Sequence, residues 1–110
     1  MIYNGYKLVR DKIPEIIRAS QGSDECERVL DIIEYKRLLV KKLEEEVNEL
    51  REALASEKQS LIEDELADVY EVLVALGDTH RCRDIIEVAQ EKFSKRGGFY
   101  QGHILKVDST

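Results

Sequence analysis

Tryptophan is absent from this 110-residue chain, proline occurs once, and cysteine and histidine occur only twice each. Cys26 and Cys82 lie far apart with no CxxC spacing, and His80 and His103 are equally isolated, so the ligand pattern of a zinc site is missing. The thiols read as buried or incidental, the histidines as surface or capping residues. No apolar run is long enough to span a bilayer, and the opening MIYNGYKLVRDKIPEII has no signal-peptide core. A cytoplasmic location with no membrane partner is the expectation, and a disulfide is not expected there. Neither a Gly/Ser-rich nor a Pro-rich linker interrupts the chain, so residues 1–110 read as one domain. Basic charge is also short. A formal net charge of -6 argues against a general nucleic-acid binder, which needs a concentrated basic surface to neutralise phosphates.

What the chain does have is helical periodicity. Residues 1 to 10 alternate weakly, as an extended arm would. Pro14 suits the first turn of a short helix over Ile13 to Ala19, which Gln21 to Asp24 end as a turn. Glu27 to Leu30 reads as a short extended piece. Asp31 with Glu34 forms a capping-box pattern ahead of a helix reaching Ala55, with Leu39, Leu43, Val47, Leu50 and Leu54 as its apolar stripe. Ser60 with Glu63 repeats that pattern before a helix to Leu76, stopped at Gly77, whose stripe is Ile62, Leu66, Val69, Leu73 and Leu76. That helix carries a second partly apolar face and so reads as the most buried one. A last helix, capped by Asp78 or Thr79, runs to Arg96 and stops at Gly97, with an extended tail from Phe99 to Val107. The fold class is all-α, a bundle of about four helices around an antiparallel central hairpin. Two apolar faces on one helix, in a chain too short for a large core, favour a homo-oligomer.

Two acidic pairs interrupt a second line on each of the two long helices. Leu39, Lys42, Glu46, Glu49 and Ala53 share one face of the first long helix, and Leu61, Glu65, Asp68, Val72 and Ala75 share one face of the next. Acids bracketed by Leu61 and Val72 on a core-type line are partly desolvated and need a partner, either Lys/Arg or a metal. With the two helices antiparallel, Glu46, Glu49, Glu65 and Asp68 can offer oxygen ligands to a hard cation. Mg2+ is favoured, with Mn2+ as a substitute. Such a site serves phosphoanhydride hydrolysis. Glu45 is placed to orient water, although its helical position directs it away from Glu46. The competing reading is a solvated acidic face answered by Arg37, Lys41, Lys42 and Arg51, in a chain where 23 of 110 residues are acidic.

Glu45-Glu46-Val47-Asn48-Glu49, followed by Glu65-Leu66-Ala67-Asp68, resembles the EExxE and ExxD magnesium-binding signature of the MazG-like all-α nucleoside triphosphate pyrophosphohydrolases. The opening Tyr6-Lys7-Leu8-Val9-Arg10-Asp11-Lys12-Ile13-Pro14-Glu15-Ile16-Ile17 and the late Lys95-Arg96-Gly97-Gly98-Phe99 resemble a short, single-domain, phosphoribosyl-ATP pyrophosphohydrolase-like branch of that superfamily. The resemblance implies Mg2+-dependent cleavage of a nucleoside triphosphate between its α and β phosphates, with nucleotide-pool house-cleaning as the role. It places the metal on Glu46, Glu49, Glu65 and Asp68, makes Glu45 and Glu46 the catalytic pair, and implies a homodimer or homotetramer.

Lys7, Arg10, Lys12, Lys95 and Arg96 have the charge to hold a triphosphate, and each can equally be solvated surface charge. Asp11 is read as the cap of the first helix. The alternative function is a catalytically silent nucleotide-binding or regulatory helical oligomer.

Overall fold

The computed structural model describes residues 5–107. Pro14 sits in the first turn of α1 (Ile13–Gln21), where its missing N–H costs nothing. The helix runs to Gln21 because Gly22 (φ 84°) takes the left-handed position and returns its N–H to the Arg18 carbonyl at 2.7 Å. The expected cap from Asp11 is not formed: the N-cap is Lys12, with no side-chain hydrogen bond.

Asp31 caps α2 (Ile32–Ser56) as expected, its carboxylate accepting from the Ile33 N–H at 2.9 Å. Glu34 instead turns to Arg37, 3.2 Å away. Glu57 in the left-handed conformation and Lys58 then reverse the chain in two residues, and the Ser56 hydroxyl accepts from the Lys58 N–H at 3.2 Å. So tight a connection starts α3 (Gln59–Thr79) one residue before Ser60, and the Ser60–Glu63 capping box is not used. The hairpin packs α2 against α3 along their length.

Gly77 does not stop α3. The helix continues to Thr79, whose hydroxyl donates to the Ala75 carbonyl at 2.7 Å and is therefore not the cap of the last helix. Asp84 caps α4 (Ile85–Arg96) by accepting from the Ile86 N–H, in place of the expected Asp78 or Thr79. Gly97 (φ 76°, ψ −175°) ends α4 in a conformation open essentially to glycine alone. Among the described residues there is no strand, so neither Glu27 to Leu30 nor Phe99 to Val107 pairs as β-structure.

The core lies in the α2–α3 seam and is thin. Its buried apolar residues are Leu38, Leu39, Ala53 and Val72. The face of α3 that enters the seam is the mixed line of Glu65, Asp68, Val72 and Ala75, while Leu66 (52% exposed) and Leu73 (39%) of the purely apolar stripe look outward. α3 is accordingly not the most buried helix of the single chain: it contributes Val72 alone, against five residues from α2.

Candidate metal centre

Because both mixed lines face the seam, the acids of α2 and α3 converge. Glu46, Glu65 and Asp68 each offer an oxygen within 4.8 Å of the others, and Glu45, Glu46 and Glu49 form a second such group, so Glu46 belongs to both. Glu45 does not point away as its helical position suggested. A glutamate side chain is long enough to bring its carboxylate back beside Glu46 and Glu49.

Glu46 is buried at 4% exposure, and its two oxygens differ. Oε1 lies 3.1 Å from Lys42 Nζ, which also approaches Glu45 at 3.5 Å. Oε2 is buried with no hydrogen-bond partner among the described residues, and so is Glu65 Oε2. Burial, contact with Glu46, and the charges of Glu49, Glu46 and Asp68 push the Glu65 carboxyl up to about 7. Burial and the neighbouring Glu46 and Glu45 raise Glu49 as well. Burial works against the Lys42 ammonium, but hydrogen bonds and charge from Glu46 and Glu45 outweigh it and raise its pKa. Arg10 bridges Asp68 and Glu71, and Lys7 Nζ lies 3.6 Å from Glu45.

Orphaned, buried carboxylate oxygens in an all-oxygen donor set fit a hard divalent cation, and their cost is what such an ion would relieve. Beside them opens a cavity of about 700 Å³, a size that suits a small-molecule ligand. Glu46 and Asp68 stand at its acidic end; Lys7, Arg10 and Lys12 reach it from the arm before α1; Tyr35, Leu39, Val72 and Ala75 give it an apolar floor. Roughly 16 Å of helix separate Tyr35 from Glu46, at about 1.5 Å per residue.

Lys95 and Arg96, in the last turn of α4, do not line this cavity. Glu71 and Tyr35 are cavity residues that sequence reasoning missed. Glu71 had a signal, standing one turn beyond Asp68; Tyr35 had none, because a half-buried tyrosine on a helix is ordinary core material.

A helical hairpin whose two facing lines hold clustered carboxylates next to a basic-walled cavity defines an all-α protein with a candidate cation and anion site. The family model for the MazG nucleotide pyrophosphohydrolase domain matches residues 34–97, more than half of the chain, and the chain belongs to that family. Membership supports nucleotide pyrophosphohydrolase activity in general. No curated protein and no solved structure gives a significant match.

Proposed function

We propose that the protein hydrolyses a nucleoside triphosphate at the α–β phosphoanhydride, releasing nucleoside monophosphate and pyrophosphate, with Mg2+ as the cofactor and Mn2+ able to replace it. The observation that carries this reading is the convergence of Glu46, Glu65 and Asp68 around buried oxygens that lack partners. Glu46, Glu49, Glu65 and Asp68 would hold the ion, which when bound offsets charge on the phosphate oxygens and acidifies water.

The chain's own groups do the rest. Glu45, beside the cluster and 3.6 Å from Lys7, orients the attacking water and takes its proton. The water oxygen bonds to the α-phosphorus, the bond to the bridging oxygen breaks, and pyrophosphate leaves with the electron pair. Lys7, Arg10 and Lys12 face the cavity and bind the departing phosphates. The nucleoside lies along the apolar floor, whose few polar groups suit broad house-cleaning of the nucleotide pool better than selection of one base.

We further propose that the whole chain is one domain working as a homodimer or homotetramer in the cytoplasm. A compact domain of this length has a radius of gyration of about 13 Å. The observed value is 17.8 Å, and the exposed stripe of Leu66 and Leu73 supports a second copy as its cover. In such an assembly Lys95 and Arg96 are the remaining candidates for phosphate contact. Pyrophosphate release from canonical and modified nucleoside triphosphates and phosphoribosyl-ATP, with Mg2+ and then with chelator, tests the reading. Silence across the panel from folded protein that binds nucleotide would favour a regulatory binder.

A further inference from the structure

The arm before α1 is fastened to the acidic face at two points, through Lys7 to Glu45 and through Arg10 to Asp68 and Glu71. Asp68 is at the same time one of the three carboxylates whose oxygens lie within 4.8 Å of one another. One carboxylate thus stands where a cation of the chain and a divalent ion both have reason to be.

The two resident cations are not equivalent. Lys42 lies one turn from Glu46 on the same helix, with its side chain only 19% exposed, so that pair survives any movement of the arm. Arg10 comes from a segment outside any helix, its side chain is 53% exposed, and its contact with Asp68 spans 58 positions of sequence. Exposed ion pairs of this kind are weak enough to exchange. A guanidinium and a divalent ion on one carboxylate also repel each other. Arg10 lines the cavity, and its planar fork matches phosphate oxygens as well as it matches carboxylates.

We infer that Arg10 and the divalent ion compete for Asp68, and that the displaced guanidinium turns to the substrate's phosphate oxygens, coupling metal loading to triphosphate capture. The inference rests on the reading of the cluster as the metal centre of a nucleotide pyrophosphohydrolase. It gives Arg10 two successive partners, where a simple phosphate contact has one.

Calorimetric titration of Mn2+ alone into wild type, Arg10→Gln and Arg10→Lys tests it. Arg10→Gln binds Mn2+ about two- to fivefold more tightly than wild type, and Arg10→Lys, which keeps the charge, stays near wild type. With Mn2+ bound, Arg10→Gln holds a non-hydrolysable α,β-imido triphosphate about tenfold more weakly. Unchanged or weaker Mn2+ binding in Arg10→Gln overturns the inference, because a guanidinium that merely braces Asp68 would help the metal. A wild type that binds no Mn2+ overturns the metal-centre reading and this inference together; binding in wild type with no change in the variant overturns the inference alone. A second measurement needs no variant. Solvent exchange of the Arg10 guanidinium protons in wild type, followed by NMR, quickens on adding Mg2+ and slows again with the imido analogue; exchange that ignores Mg2+ overturns the inference.

Discussion

Glu46 on α2 and Glu65 on α3 meet across the hairpin, and each keeps a buried carboxylate oxygen with no hydrogen-bond partner among the described residues. Lys42 satisfies only the other oxygen of Glu46. The fold therefore commits part of its small seam to two acids that oppose one another, a local cost that a bound cation would offset.

Removing that opposition should stabilise the protein while damaging the site. Glu65→Gln is expected to melt at a higher temperature than wild type in chelator, and Glu46→Gln and Glu65→Gln each to lose at least about a hundredfold in turnover. Thermal melts and pyrophosphate assays of the two variants check both halves. Wild-type turnover in both variants would remove the site assignment.

Glu65 sets the pH dependence. Its folded-state pKa of about 7 lies above the ordinary 4.5, so between those values the folded chain binds more protons than the unfolded one. The stabilisation is fully present below about pH 4.5 and is lost as pH rises through about 7. In chelator, this group should lower the melting temperature between pH 5 and pH 8 relative to Glu65→Gln. Metal affinity should run the other way and rise with pH across 7, since the ion must displace the Glu65 proton. Melting curves of both proteins and Mn2+ titrations at several pH values separate the two effects.

Mg2+ should stabilise the folded chain by mass action. At about a hundred times its dissociation constant the gain is about 2.7 kcal/mol, or roughly 10 °C in Tm for a domain of this size. Scanning calorimetry against Mg2+ concentration measures it. A Tm that does not move with Mg2+ would favour a purely structural helical protein.

The helical elements were largely legible in the sequence, because Asp31, Pro14 and Gly97 are local signals whose chemistry acts within one turn. Tertiary context decides the rest. Gly77 permits a helix stop but does not require one, so α3 ran on to Thr79 and passed the capping role to Asp84. The acids are legible because they break apolar lines. Their convergence followed from a two-residue connection, whereas the hold of Arg10 on Asp68 and Glu71 joins segments that no local pattern relates.

The outward stripe of α3 should be an interface. Leu73→Lys, at a position 39% exposed in the single chain, should fold with unchanged helix content yet halve the mass seen by sedimentation velocity. A wild type that sediments as a monomer at micromolar concentration would contradict the oligomer.

The most direct test is quantitative product analysis of a nucleoside triphosphate incubated with the purified protein and Mg2+. Monophosphate and pyrophosphate should appear in equal amounts and cease when chelator is added. Diphosphate with inorganic phosphate, or no turnover across the substrate panel by folded protein that binds Mg2+, would contradict hydrolysis between the α and β phosphates.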